Sequence, residues 1–427
     1  MCHVMKKFLA VAVCAALACP QAYAQEATTP LPGVAESTPE PTTRTAAPST
    51  DDCPFRLTPP KPVTTSERLA PGQAAPTPLP PVMDAACGIS APAGFTVPKD
   101  LMASAWIVAD IDSGEIIAIK DPHGRYRPAS IIKALLALVV IEELDLSTTI
   151  EASEASATID GSAVGLGSGG KYTIEQLLQG LLMASGNDAA HALAQELGGD
   201  ESALEKVNAL AKRLGTTSTY AASYSGLDAP GMSTSVYDMA LIYRAAYSNP
   251  AFARLVNTEK VKFPGYGDVP GYELWNDNGL FLNDPDGIGG KTGYTDDANH
   301  TFVGALDRNG RRLFAVLLDT TVDHGPRAWQ QAQRLLNEAY TVPAGSGVDT
   351  LSAQRAESSR DELSAPTSTP SGSAPTPAPA ATNPDLEPTL STSGAWVPWL
   401  IAFLIGSCAL AAAFWSISRR PGRHRKR

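Results

Sequence analysis

Histidine is scarce in this chain, and none of it falls in a catalytic pattern. The 427 residues include 6 histidines (His3, His123, His191, His300, His324 and His424), with no H-E-x-x-H or comparable zinc-binding spacing. His123 and His324 read as surface-loop residues, and His300 as a strand residue rather than a catalyst. A G-x-S-x-G nucleophile elbow is also missing. Cysteine is equally sparse. Of 6 cysteines, Cys2, Cys14 and Cys19 fall in the first 24 residues, which read as a signal peptide, and Cys408 in the C-terminal apolar run. Only Cys53 and Cys87 remain, enough for a disulfide in an oxidising compartment but not for a thiol nucleophile or a zinc site. On a chain-entropy estimate such a bridge contributes at most roughly 3–4 kcal/mol. Basic residues do not cluster outside the extreme C-terminus, and the net charge is −11, which argues against a nucleic-acid partner. No metal or organic cofactor is implied.

Long apolar runs occur only at the ends. Lys6 and Lys7 precede an uncharged run from Phe8 to Cys19, and Ala22-Tyr23-Ala24 supplies small residues for cleavage, so residues 1–24 read as a signal peptide. Lipoprotein processing at Cys19 is disfavoured because Leu17 sits one place off and Pro20 follows. At the other end, the 22 residues from Trp396 to Ile417 carry no charge. At about 1.5 Å per residue they span roughly 33 Å, the thickness of the hydrocarbon core. Six Arg or Lys residues between Arg419 and Arg427 follow. The expectation is a transmembrane anchor over 394–418 with a cytoplasmic tail over 419–427, holding the body on the extracytoplasmic side of the cell membrane in a single pass. Residues 25–97 and 344–393, rich in Pro, Thr, Ala and Ser, read as solvated spacers. Residues 98–343 are left as the folded body, large enough for one core or two small lobes.

Within that body, Trp106–Asp110 and Glu115–Lys120 read as strands joined by a tight turn at Asp112-Ser-Gly114. Pro128 and Ala129 then open a helix over 130–144 that is apolar nearly all round, the pattern of a buried helix. From about 145 to 260 the chain reads as mostly helical, with helices at 173–183 and 201–214. Residues 301–306 and 312–319 read as strands, and 324–340 as a closing helix. The implied fold is α/β (α+β): a central antiparallel sheet from both ends of the body, flanked by helices, with a mostly helical lobe inserted and the active site between the two.

Three short motifs carry the chemistry. Ser130-Ile-Ile-Lys133 is S-x-x-K, Ser185-Gly-Asn187 is S-x-N, and Lys291-Thr-Gly293 is K-T-G, spaced by 55 and 106 residues. This order matches the signature of penicillin-binding proteins and class A β-lactamases. A serine hydroxyl needs a base, and Lys133, at i+3 on the same helical face, serves only when neutral. Its pKa must therefore fall well below the free value near 10.4, through burial and a second nearby cation, for which Lys291 is the natural candidate. Ser185 is placed to relay a proton to the leaving nitrogen, and Asn187 to hydrogen-bond Lys133 and the substrate amide. Lys291 and Thr292 would hold a terminal carboxylate, and Gly293 lets substrate backbone approach the strand. The N–H groups of Ser130 and Tyr294 are the expected oxyanion hole.

At these residues the chain resembles the D-alanyl-D-alanine carboxypeptidase 1 family of low-molecular-mass penicillin-binding serine peptidases, with a β-lactamase/transpeptidase-like fold. The likeness extends from about Trp106 to Ala339 and includes Gly180–Ala189, Gly226-Leu-Asp-Ala-Pro230, Ser235–Ala240 and Gly290–Thr295. It implies removal of the terminal D-alanine from peptidoglycan stem pentapeptides through an acyl-enzyme on Ser130, with β-lactams as covalent inhibitors. Two departures stand out. Ala298-Asn299 replaces the usual Ala-Gly after Thr295, and a Pro/Ser-rich stretch stands where many relatives carry a β-rich domain. Asn tolerates left-handed backbone, so the turn is expected to survive.

Gly165–Lys171 mimics a nucleotide-binding glycine loop, but Tyr172 stands where Ser or Thr must bind Mg²⁺, so it reads as a turn. Rival functions are a DD-endopeptidase acting through the same residues, a β-lactamase and a non-enzymatic β-lactam sensor. Residues 215–235 hold no glutamate to prime a deacylating water, which disfavours the β-lactamase. The short basic tail disfavours the sensor, which is expected to carry a cytoplasmic signalling domain.

Overall fold

The alternating faces of three long strands organise the molecule. The computed structural model describes residues 44–352 apart from positions 84 and 324. The expected signal peptide (1–24), anchor (394–418), basic tail (419–427) and most of the C-terminal spacer lie outside the described residues. No helix among the described residues is long and apolar enough to cross a membrane.

After the short strand β1 (Ile89–Ser90), β2 (Ala105–Asp110) and β3 (Glu115–Lys120) form the expected hairpin, turning through Gly114 at φ +77°. A 3₁₀ turn (Ala129–Ile132) runs directly into α1 (Lys133–Glu143), so the expected helix starts with a tighter turn, and that turn carries Ser130. The inserted lobe comprises β4 (Thr149–Glu151), α2 (Glu154–Ala157), β5 (Lys171–Thr173), α3 (Ile174–Met183), α4 (Asn187–Glu196), α5 (Asp200–Arg213), α6 (Val236–Ser248), α7 (Pro250–Val256) and the β6–β7 hairpin (Lys260–Phe263, Tyr272–Trp275). Then come α8 (Gly279–Asn283), β8 (Gly287–Thr295), β9 (Asn299–Arg308), β10 (Arg311–Thr320), α9 (Ala328–Ala339) and β11 (Asp349–Thr350).

The main sheet is antiparallel in the order β1-β3-β2-β10-β9-β8, with β11 also on β3. Successive side chains of a strand point to opposite faces. On β2, Trp106 and Val108 therefore join Leu313, Leu317 and Leu335 of α9 in one core, while Ile107 and Ala109 join Phe314, Val316 and the helical lobe in the other. Helix α1 lies inside that second core, buried from Lys133 through Val140. Each apolar side chain so buried contributes about 1.5–3 kcal/mol. Helix α3 begins at a capping box between Thr173 and Gln176, which fixes where the segment leading to Ser185 starts.

The N-terminal stretch corrects the sequence expectation. Residues 44–97 do not form a solvated spacer but a strap packed against the body, closed by the Cys53–Cys87 disulfide. Its carbonyls, free of regular structure, accept hydrogen bonds from buried cations. Lys120 bonds Pro48, Arg125 bonds Leu57 and Pro80, and Arg127 bonds Pro60. Phe55 packs edge-on against Tyr126 and Phe95 stacks on Trp106. The folded body also runs past 343, because β11 pairs with β3.

Candidate active site

The nucleophile turn is fixed before any catalytic contact is made. Ala129 sits at φ +47°, a costly conformation for a residue with a Cβ, immediately before Ser130. Thr301 Oγ1 donates to Pro128 O at 2.8 Å and Tyr243 Oη to Ile131 O at 2.8 Å, gripping the turn on both sides. Gly226, at φ +86°, passes so close that a Cβ there would lie 2.1 Å from Ala129 O.

Lys133 is fully buried. Its Nζ lies 2.8 Å from Ser130 Oγ, 2.8 Å from Asn187 Oδ1 and 2.6 Å from Ser225 O. The last two are acceptors. A neutral amine has two N–H groups and one lone pair. It therefore satisfies both acceptors and leaves the lone pair facing the serine hydroxyl. Burial, and then the charge of Lys291, push the Lys133 pKa well below its ordinary value, against the pull of Asp277 and Asp188.

Ser185 occupies the break between α3 and α4 at φ +62°. Asn187 Nδ2 donates to Asp160 O at 2.8 Å, which orients its amide so that Oδ1 faces Lys133. Asp188, to which the sequence reading gave no role, accepts the N–H groups of Val164, Gly165 and Leu166 at 2.7–2.9 Å. The start of the glycine-rich 165–171 segment is thus gathered onto this carboxylate.

The third motif lies on β8, at the edge of the sheet facing the nucleophile turn. A Cβ on Gly293 would come within 3.0 Å of Ser130 N and 2.3 Å of Thr301 Oγ1. Lys291 is fully buried, and burial lowers its pKa while Asp277 opposes. Thr292 Oγ1 donates to Asp277 Oδ2 at 2.8 Å. Tyr294 is 56% exposed, with its ring against His300. The 3 motifs therefore converge: Ser130, Lys133 and Asn187 are linked directly, and the β8 edge borders the same turn. Asn299 holds the turn after β8 at φ +56°, the left-handed conformation expected of it.

His300 belongs to β9, outside the triad of motifs. His123 is partly buried against the Tyr237 ring rather than a surface-loop residue, and position 324 lies outside the described residues. Asp277 and the Ser225 carbonyl were not anticipated. The first is one charge in an irregular loop, and the second is a backbone atom with no residue-type signal. No group of three His, Cys, Asp or Glu side chains that could hold a metal occurs among the described residues.

Residues 92–322 match the family model described as D-alanyl-D-alanine carboxypeptidase. The chain is 43% identical over 263 residues to D-alanyl-D-alanine carboxypeptidase DacB2 of Mycobacterium tuberculosis, covering 61% of this chain and 90% of that protein. It is 29% identical over 245 residues to DacF of Bacillus subtilis, covering 56% of this chain and 62% of DacF. Among solved structures, the D-alanyl-D-alanine carboxypeptidase of M. tuberculosis H37Rv superimposes with a TM-score of 0.59 at 42% identity, over 61% of this chain and all of that one. The Streptomyces K15 DD-transpeptidase does so with a TM-score of 0.54 at 26% identity, over 58% of this chain and all of that one.

Proposed function

The chain belongs to the D-alanyl-D-alanine carboxypeptidase family of serine peptidases, and from that premise we propose that it trims peptidoglycan stem pentapeptides through an acyl-enzyme on Ser130. The observation that carries this reading is the valence of Lys133. Buried, with two acceptors to take its N–H groups, the amine in its neutral form has a lone pair left for the serine proton.

In the proposed sequence, Ser130 Oγ attacks the carbonyl carbon of the scissile peptide as its proton passes to Lys133 Nζ. The N–H groups of Ser130 and Tyr294 take up the oxyanion, each such donor contributing about 3–4 kcal/mol. Ser185 Oγ passes its proton to the leaving nitrogen and takes one in return from the Lys133 ammonium, and D-alanine departs. Water then cleaves the ester, its oxygen bonding to the acyl carbon and a proton returning Ser130 to the hydroxyl. Lys291 and Thr292 hold the terminal carboxylate of the substrate. Penicillin, whose lactam carbonyl occupies the same place, acylates the same serine. The uncharged run at 396–417, with the basic residues behind it, supports a single-pass anchor that keeps the enzyme on the outer face of the cell membrane. Lys6, Lys7 and the following apolar run support export.

Incubating the full-length protein with a pentapeptide ending in D-Ala-D-Ala and measuring free D-alanine tests this. Release by wild type and none by Ser130→Ala supports the assignment. Release that survives the substitution refutes it, and cleavage of cross-linked dimers without trimming of the pentapeptide replaces it with the endopeptidase.

A further inference from the structure

The strap grips the body at two places close in sequence to the expected oxyanion donors. At the first, Asp297, three residues beyond Tyr294, accepts four hydrogen bonds from it. Val63 N and Thr64 N reach Oδ1 at 2.6 and 2.8 Å, and Thr64 Oγ1 and Ser66 Oγ reach Oδ2 at 2.6 and 2.5 Å. Burial alone would raise this carboxyl's pKa, but the hydrogen bonds outweigh it and hold the group below its ordinary value.

At the second place, Arg127, three residues before Ser130, pairs with Glu67 at 2.6 Å and donates to Pro60 O at 2.7 Å. The same guanidinium reaches Asp297 O at 3.3 Å, joining the two places directly. Arg125 is held by Leu57 O and Pro80 O at 2.7 and 2.8 Å. All these strap residues lie within the loop that Cys53 and Cys87 close. Outside the loop, Arg44 forks onto Asp319, which accepts from Asn299 Nδ2 at 2.7 Å and so holds the far end of the same turn.

We propose that residues 44–97 form a disulfide-closed clamp that sets the spacing between the Ser130 turn and the end of β8, with Asp297 as its positioning residue. The clamp rests on the reading of Ser130 and Tyr294 as oxyanion donors. Neither strap nor Asp297 touches the reacting atoms. Their effect is geometric, and a misplacement of about 1 Å in such a site costs on the order of 100-fold in rate.

The test is kinetic and structural together, on the full-length oxidised protein. In Asp297→Ala, kcat for D-alanine release is expected to fall roughly 10- to 100-fold with KM changed by less than about twofold. Asp297→Asn keeps an acceptor for the Val63 and Thr64 N–H groups and should lie between. Wild type with its disulfide reduced should shift in the same direction as Asp297→Ala. Amide hydrogen exchange should quicken in residues 124–130 and 294–299 together. A variant that melts earlier yet turns over at the wild-type kcat below its melting point would show mere stabilisation and overturn the proposal. Should wild type release no D-alanine, the carboxypeptidase reading falls and exchange alone decides the clamp. Faster exchange in both segments of Asp297→Ala upholds it, and unchanged exchange overturns it.

Discussion

Lys133 Nζ sits 2.8 Å from Ser130 Oγ while its other two neighbours, Asn187 Oδ1 and Ser225 O, can only accept. An ammonium would have to donate to the very hydroxyl it is meant to deprotonate. A neutral amine fits all three neighbours in their proper senses. Removing it strands the serine proton. Lys133→Ala should lower the rate of Ser130 acylation by about 10³-fold or more, the range for loss of a general base. Penicillin labelling followed by mass spectrometry reads that step alone, and labelling at the wild-type rate would place the base elsewhere.

The pH dependence follows from the same burial. Lys133 works unprotonated, so activity should rise with pH through its folded pKa, which lies well below 10.5 because of burial and then the Lys291 charge. Replacing Lys291 by Gln removes the second cause, so the Lys133 pKa rises and the acid limb moves to higher pH. Following kcat rather than kcat/KM separates this from weaker binding of the substrate carboxylate, since kcat reports groups in the bound complex. An acid limb that stays in place in Lys291→Gln would mean that the two amines do not communicate.

Gly226 is the backbone counterpart of these side-chain effects. Its φ of +86° and the 2.1 Å separation between a built Cβ and Ala129 O leave no room for alanine. Gly226→Ala must displace either its own loop or the nucleophile turn. We expect a loss of about 1–3 kcal/mol in stability and a fall in D-alanine release greater than the unfolded fraction accounts for. Thermal melts and kinetics on one preparation check both. Wild-type turnover in the folded variant would mean that the turn has adjusted without moving Ser130.

Much of this site was legible because its chemistry is concentrated in side chains at characteristic spacing. Ser130 and Lys133 stand out as polar residues on an otherwise apolar helix, and the β2–β3 and β9–β10 hairpins follow from near-continuous apolar runs broken by Asp-Ser-Gly and Arg-Asn-Gly turns. What escaped was carried by backbone or by composition that resembles solvated chain. Ser225 contributes a carbonyl, which any residue type supplies. The strap is rich in Pro and Thr and, outside β1, lacks regular structure, yet that same lack leaves carbonyls free for Lys120, Arg125 and Arg127. The legible trace of it lay in the body, where Arg125 and Arg127 flank Tyr126 and all three are buried.

Asp188 gives the last prediction, because it ties the second motif to the loop that covers it. Its carboxylate collects N–H groups from Val164, Gly165 and Leu166 at 2.9, 2.7 and 2.9 Å, and Asn187 N donates into the same loop at Ser162 O. Alanine there would leave these three loop donors, and Ala189 N besides, without their acceptor, each costing about 1–3 kcal/mol if it stays dry. The loop would then lift rather than remain unsatisfied, and Asn187 would lose the Asp160 carbonyl that orients its amide. Asp188→Ala should therefore quicken hydrogen exchange at residues 160–166 and slow acylation of Ser130. Asp188→Asn, which keeps one acceptor oxygen, should retain part of both. If exchange quickens while acylation holds at the wild-type rate, the Lys133–Asn187 contact is maintained without the loop, and Asp188 serves only the fold.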